Sequence, residues 1–363
     1  MKRRRFLPNV PIHIYQRSLN GTVIFYSLED CLVYYTVFCT CAKRSGVTVL
    51  GLCEMYDHIH QLLEAPDLRS LSDFERMVNI GFSREFFADL RQVSAGAPGG
   101  PSTEQSTGYL TWPPTEHSTI KVQNTLDLPS CGHLFQSPFG SAPKVGDKAV
   151  RTCIAYLNNN PVERRIHSEA IKWRWNFLAY AFSDHPYSER IVKRRATYRF
   201  RRCLREVEGC HSRGEWLRHS QLRRMFSSLT SEERNQLVDF IVVTYNVIEY
   251  DRVSSYYGSL EKMLLAINSN TGSEYDIKEE RHRNPDTAYG QMINYVIRNE
   301  YVRSAKAVLL LPLESKNLLS CLLVRDTLAD EWQAMKFLGL DPRSKLKLWF
   351  GQETASKFPD VEQ

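Results

Sequence analysis

Two apolar runs separated by a short polar break constrain the fold of this chain most strongly. The runs span residues 47–55 and 59–63, and Tyr56 and Asp57 stand between them. Apolar runs of this length, rich in branched side chains, are typical of β-strands. Because so short a connection brings consecutive strands together, the sequence predicts that the two runs pair as an antiparallel hairpin.

A further strand is predicted upstream of this hairpin. Within residues 10–18, aliphatic side chains alternate with polar or aromatic ones, and branched residues are common. Successive side chains of a strand point to opposite faces, so His13, Tyr15 and Arg17 should share one face of the sheet.

Two helices flank the hairpin in the chain. Ser27 is a typical N-cap for a helix over residues 28–45, and Gly46 is a typical residue to end it. Residues 71–92 carry large apolar side chains at spacings of four, which predicts an amphipathic helix. With residues 132–136 as a last strand, the order matches a ferredoxin-like βαββαβ domain with an antiparallel sheet, in the α+β class.

The rest of the chain suggests a second region that is mostly helical. Residues 94–119 are rich in Gly, Pro, Ser and Thr, which predicts a disordered loop inside a domain spanning 1–180. A helix is expected over 147–159, ended by Pro161. Residues 181–363 are expected to form an α-helical C-terminal domain. Its helices are expected at about 189–208, 214–227, 231–249, 257–268, 286–303, 315–323 and 326–338.

Composition limits the class of protein. The 363 residues, 42% of them hydrophobic, suffice for about two domains. The net charge of +6 is uneven, because Arg190 to Arg205 holds eight Lys or Arg residues and no acid. Such a run suits a nucleic-acid phosphate backbone, and a solvated helix face is the alternative. Nine scattered cysteines without a C-x-x-C pair favour reduced thiols in the cytoplasm, and no apolar run is long enough for a membrane span.

Two pairs of residues suggest chemistry. His58 and His60 are two apart on a predicted strand, so their imidazoles should project together and form half of a divalent-metal site. Ordinary strand histidines without a metal are the alternative. Tyr156 and Asn160 are four apart near a helix end, so a hydroxyl and an amide oxygen could converge. Packing of the helix end against the sheet is the alternative role for Tyr156.

These motifs, in this order, resemble those of a known family. The run Met55-Tyr-Asp-His58-Ile-His60 is followed roughly a hundred residues later by Tyr156-Leu-Asn-Asn-Asn160-Pro-Val162. The combination looks like the single-tyrosine HUH transposases of the insertion sequence 200 type, and more closely like their REP-associated tyrosine transposase branch. The similarity covers roughly residues 8 to 180.

The resemblance implies a role for each matching residue. His58, His60 and Asn160 would hold Mg²⁺ or Mn²⁺, and Tyr156 would be the nucleophile. The family cleaves single-stranded or hairpin DNA, leaving a 5′-phosphotyrosine on the enzyme and a free 3′-OH on the DNA. It implies a homodimer, and a cytoplasmic protein associated with the nucleoid.

Other interpretations remain open. A domesticated relative would bind and regulate DNA without cutting it. A metal-dependent hydrolase of small substrates that uses the histidine pair is a third class, although it lacks a candidate carboxylate ligand at tight metal-site spacing. In the C-terminal region, residues 316–347 are spaced like a helix-turn-helix, and an ordinary helical pair is the alternative.

Overall fold

The N-terminal part of the protein is built on a four-stranded antiparallel sheet. The computed structural model describes residues 6–94, 109–111, 119–121, 133–269 and 284–342. The strands lie in the order β2-β3-β1-β6. They are β1 (Ile12–Arg17), β2 (Thr48–Glu54), β3 (His58–Glu64) and β6 (Gly140–Pro143). Together with the many helices, this sheet confirms the mixed α+β class.

Helix α1 (Leu28–Ser45) and the β2-β3 hairpin form as the local sequence predicts. The Ser27 hydroxyl accepts a hydrogen bond from the Asp30 amide at 3.2 Å, which satisfies a free N–H at the helix start. The helix ends at Gly46, whose φ of +66° is left-handed and costs a glycine little. The hairpin aligns Glu54 with Ile59 across the connection.

The two faces of the sheet are covered by different layers. Helices α1 and α2 (Leu68–Ser94) pack against each other, and residues of one sheet face, such as Ile14 and Ile59, join them in one apolar core. Because strand side chains alternate, the other face carries Leu62 and Cys53. This second face is covered by α3 (Asp147–Glu163).

Helix α3 corrects one prediction. Pro161 was expected to end the helix, yet α3 continues through it to Glu163. A proline removes one N–H donor, but the last turn is held by the Arg164 amide, which donates to the Asn160 carbonyl at 2.9 Å. Asn160 therefore lies inside the helix, one turn after Tyr156.

The last strand of the sheet is also corrected. It is β6, not residues 132–136: of these, residue 132 lies outside the described part, and Phe135 contributes only an isolated bridge to Ser18. The disordered loop predicted over 94–119 lies outside the described residues except at Ser94 and at two short strands. These are β4 (Tyr109–Thr111) and β5 (Thr119–Lys121), which pair antiparallel with each other.

The region after residue 181 is helical, as expected, although most helices are shorter than predicted. A capping box formed by Thr230 and Glu233 starts the helix at Ser231, and apolar residues of that helix such as Leu237 and Ile241 are buried. The helices are α4 (Tyr198–Ser212), α5 (His219–Phe226), α6 (Ser231–Tyr245), α7 (Tyr250–Ser255), α8 (Leu260–Ser269), α9 (Thr287–Arg298), α10 (Leu313–Asp326) and α11 (Glu331–Phe337).

These C-terminal helices share their core with the N-terminal part. The Tyr35 hydroxyl donates to the Val242 carbonyl at 3.0 Å, and the apolar cluster around α1 continues into α4, α6 and α9. The division near residue 180 stays a prediction. Within the described residues, no helix has the length and apolar character to cross a membrane. None of the eight described cysteines forms a disulfide.

Candidate metal and nucleophile site

The predicted histidine pair lies on the sheet face that α3 covers. His58 and His60 are both in β3, both buried, and their ring centroids are 5.1 Å apart. The register sets Arg17 opposite His58 and Tyr15 opposite His60. Because opposed residues of neighbouring strands share a face, one side of the sheet gathers two imidazoles, a phenol and a guanidinium.

Helix α3 brings Tyr156 and Asn160 to the same place. The Asn160 amide nitrogen lies 3.2 Å from His60 Nε2, and it also lies 3.4 Å from the Tyr156 hydroxyl, to which it donates. The Tyr156 ring meets the His60 ring edge-on, at 5.6 Å between centroids. The four residues singled out in the sequence therefore converge within one chain, and the expected shared face of Tyr156 and Asn160 is confirmed.

Asp57 orients His58. Its Oδ1 atom lies 2.6 Å from His58 Nδ1, so that nitrogen carries the proton and donates to the carboxylate. The lone pair of the ring is then on Nε2. A carboxylate behind a histidine is the usual arrangement for metal-binding imidazoles, because it fixes the tautomer and raises the basicity of the other nitrogen.

His13 completes the cluster from β1. Its Nε2 atom lies 3.1 Å from His60 Nδ1, and its ring stacks on the His60 ring. The same ring meets Tyr156 edge-on at 5.9 Å between centroids. His13 thus stands to His60 as Asp57 stands to His58, with an imidazole in place of a carboxylate.

The residues present fit a divalent metal. The side-chain oxygen of Asn160 is buried and accepts no hydrogen bond from the described residues, although an unsatisfied buried oxygen is costly. A metal ion would satisfy it. The Asn160 side chain lies beside His60, with its amide nitrogen 3.2 Å from His60 Nε2. His58, His60 and Asn160 together would supply nitrogen and oxygen ligands.

A second group of metal-ligand residue types lies elsewhere and is already filled by a cation. Asp30, Asp89 and His219 are buried together between the helices. The Lys306 ammonium pairs with Asp30, lies 2.8 Å from Asp89 and lies 3.3 Å from His219. Burial raises the pKa of Asp30, but Lys306 and His219 lower it by more, so the Asp30 carboxylate stays ionised. This group is therefore a buried ion-pair network.

The C-terminal region contributes charges beside the histidines. The Lys336 ammonium of α11 lies 3.2 Å from the second oxygen of Asp57. Close by, burial and the Asp57 charge raise the pKa of Asp286 to about 7, although Arg164 opposes the shift. The charges on Asp57, Asp286, Arg164 and Lys336 thus form one coupled group at the edge of the site.

Sequence reasoning missed part of this site. His13 and Tyr15 were assigned to one strand face but not to the site, and the alternation that placed them there was the available signal. Lys336 stands 279 residues after Asp57 and has no local signal. Residues 333–337 of α11 are buried, and α11 packs against α10. The helix-turn-helix predicted over 316–347 lies partly outside the described residues and stays a prediction.

The basic run that leads into α4 and continues through its first two turns forms an exposed cationic surface. Every Lys and Arg between residues 190 and 205 is exposed, and so is the aromatic ring of Tyr198. The members of this basic surface are Arg190, Lys193, Arg194, Arg195, Arg199, Arg201, Arg202 and Arg205. Clustered positive charge of this kind attracts nucleic-acid phosphates.

No family model, curated protein or solved structure matches the chain.

Proposed function

We propose that the protein is a transposase-like endonuclease that cuts and rejoins single-stranded DNA through a 5′-phosphotyrosine. The observation that carries the proposal is the convergence of His58, His60, Asn160 and Tyr156 on one sheet face of a single chain. A tyrosine hydroxyl beside two histidines and an amide is a nucleophile next to a set of metal ligands.

The layout of the sheet supports this proposal. The strand order β2-β3-β1-β6, with α1 after β1 and α2 after β3, corresponds to the ferredoxin-like arrangement that the resemblance implies. We assign the N-terminal part to that topology. Both helices pack on the face opposite the histidines, which leaves the histidine face to α3.

The proposed reaction begins with Tyr156. Its oxygen attacks the phosphorus of a phosphodiester, the bond from phosphorus to the 3′-oxygen breaks, and the tyrosine proton is lost as the leaving oxygen becomes a 3′-OH. The covalent bond keeps the free energy of the phosphodiester available for rejoining. The Asn160 amide, 3.4 Å from the hydroxyl, positions that oxygen, and Asp57 holds His58 in one tautomer.

His58, His60 and Asn160 would hold the Mg²⁺ or Mn²⁺ ion. When bound, such an ion polarises a phosphoryl oxygen and stabilises its developing charge, which is worth several kcal/mol. Neutral ligands leave the ion its full charge, which suits a substrate that is itself an anion.

Two observations favour a second candidate, a DNA-binding regulator that does not cut. The Tyr156 side chain is only 3% exposed, so an incoming phosphodiester must displace whatever covers it. The basic surface at residues 190–205, by contrast, is exposed and ready to bind phosphates. Either candidate acts on DNA in the cytoplasm, next to the nucleoid, and assembly as a homodimer stays a prediction.

Covalent capture separates the two candidates. Purified protein, Mn²⁺ and labelled hairpin DNA from the flanks of its own gene are incubated, and the product is resolved under denaturing conditions. The nuclease gives a labelled protein band that needs metal and is absent from Tyr156→Phe. Tight binding of the same DNA without that band would remove the nuclease and leave the regulator.

A further inference from the structure

A cavity opens beside His58 where the C-terminal helix meets the sheet. Its walls include Arg17 from β1, Arg164 from the end of α3, and Trp332 and Lys336 from α11. Asp57 and His58 also line it. Its lining is mostly polar, and it includes the proposed metal ligand His58. Its lining brings three distant segments of the chain together.

Helix α11 is held firmly in this position. The Tyr26 hydroxyl donates to the Phe337 carbonyl at 2.7 Å, and the Val23 amide donates to the Lys336 carbonyl at 3.3 Å. Gly21, whose φ is +69°, lies close to the lysine stem: a methyl group there would be 2.6 Å from Lys336 Cε. These contacts fix the position of the Lys336 side chain at the cavity.

The charge of the cavity suits an anion. Three cationic side chains, those of Arg17, Arg164 and Lys336, line the cavity together with one carboxylate, that of Asp57. Asp57 is already engaged by His58 Nδ1 at 2.6 Å and by Lys336 at 3.2 Å. A phosphate group would therefore meet donors from three directions, and guanidinium groups match phosphate oxygens especially well.

Trp332 adds a second kind of contact. It stands four residues before Lys336, so the two side chains share one face of α11. Trp332 is 37% exposed, and it lies at the cavity. An exposed indole beside a phosphate-sized cationic cavity is the pattern of a site that stacks a base and holds its phosphate.

We propose that this cavity binds the nucleotide next to the one being cut, with the phosphate against Arg17, Arg164 and Lys336 and the base stacked on Trp332. This inference rests on the proposed function, because it takes single-stranded DNA as the ligand. It makes α11 part of the DNA-binding site, so the C-terminal region helps to hold the substrate and does more than enclose the core.

An abasic scan tests the base contact. Full-length Tyr156→Phe protein binds a fluorescent 12-nucleotide (dT) strand, and single abasic positions are moved along it. At one position the loss of the base raises Kd about 5-fold or more. Trp332→Ala raises Kd on the intact strand to the same extent, and the abasic position then adds nothing. Phe182→Ala, which removes a ring that is 41% exposed, is the control and leaves the scan unchanged.

The proposal would be overturned if Trp332→Ala and each abasic position raised Kd independently, so that their effects simply added at every position. A scan in which no abasic position raises Kd would also overturn it, because the strand would then be held through its phosphates alone. Beyond the conservative Tyr156→Phe background, the scan changes only the exposed side chains of Trp332 and Phe182, so it decides the matter even if Lys336→Met unfolds the protein.

Salt dependence tests the phosphate contact. Lys336→Met keeps most of the buried stem but removes one cation, so the slope of log K against log salt becomes shallower by about 0.7. Lys336→Arg keeps the slope. Lys262→Met, on exposed α8, is the control. A folded Lys336→Met protein with an unchanged slope and Kd would contradict the assignment.

The outcome is separable from that of the covalent capture, because the Tyr156→Phe background forms no adduct. Coupling between Trp332 and a base without any adduct in the wild type would keep this binding site and remove the nuclease. An adduct without that coupling would keep the nuclease and remove this site.

Discussion

The amide nitrogen of Asn160 lies 3.2 Å from Nε2 of His60, although 100 residues separate the two in the chain. Only the packing of α3 across the sheet produces this distance. Asn160 Oδ1 is meanwhile buried and accepts no hydrogen bond from the described residues. A bound ion would give this oxygen a partner. Substitution at Asn160 is therefore a direct test of the proposed metal site.

Replacement of Asn160 tests the metal ligands. Asn160→Ala should weaken Mn²⁺ binding by about tenfold or more, because it removes the oxygen ligand while alanine suits the helix. Electron paramagnetic resonance of free Mn²⁺ measures the affinity. Asn158→Ala is the matched control, since the Asn158 amide donates to the Ile154 carbonyl of the same helix. Equal Mn²⁺ affinity in both variants would contradict the ligand assignment.

Asp286 should make stability depend on pH. Burial and Asp57 raise its pKa to about 7 in the folded protein, well above the value near 4 of an unfolded chain. Between about pH 4 and 7 the folded state therefore holds more protons than the unfolded one. The free energy of unfolding should fall as pH rises through this window, by on the order of a few kcal/mol.

Asp286→Asn tests this dependence. Because asparagine imitates the protonated acid at every pH, the substitution should make the free energy of unfolding less dependent on pH. Urea unfolding at pH 5 and pH 8 measures the effect: the variant should match the wild type at pH 5 and exceed it at pH 8. Asp251→Asn, at an exposed position, is the control. If the stability of the wild type instead rose from pH 5 to pH 8, in parallel with that of Asp286→Asn, Asp286 would not be the group responsible.

The buried ion-pair network around Lys306 should be a structural element without metal affinity. Lys306→Met should destabilise the fold by about 3–5 kcal/mol, because it leaves the Asp30 and Asp89 carboxylates buried without their cation. Thermal unfolding measures the loss, with Lys262→Met as the exposed control. The stabilisation by Mn²⁺ should be lost in Asn160→Ala and kept in Asp89→Asn. If Asp89→Asn reduced that stabilisation more than Asn160→Ala does, the metal would belong to this network.

The basic surface should set the salt dependence of DNA binding. Arg199→Gln combined with Arg202→Gln should weaken binding to single strands of any sequence and make the slope of log K against log salt shallower, by about 0.7 for each lost contact. The melting temperature should not change, since both side chains are exposed. Arg325→Gln is the control, because Arg325 is exposed and pairs with Asp326. A slope unaffected by the double variant would place the phosphate contacts elsewhere.

The sequence was most informative where structure is decided locally. Ser27 and Gly46 bound α1 through a cap and a left-handed turn, and both signals lie within a few residues. The face shared by His58 and His60 follows from the period of a strand. The last strand was misplaced because β6 is short and contains glycine and proline, which carry no strand signal.

Long-range packing accounts for what the sequence did not reveal. Pro161 was expected to end α3, but the contacts of the helix with the sheet and a closing hydrogen bond from Arg164 outweigh the lost donor. Likewise, nothing near Lys336 in the sequence indicates that its ammonium reaches Asp57. That contact depends on how the C-terminal helices fold back over the site.

The polarity of the covalent link tests the central proposal most directly. The same hairpin DNA is labelled at its 5′ end or at its 3′ end and incubated with wild-type protein and Mn²⁺. The proposal predicts that only the 3′-labelled strand marks the protein, at Tyr156, while the 5′-labelled strand is released with a 3′-OH. No labelled protein with either strand, or an adduct that persists in Tyr156→Phe, would contradict it.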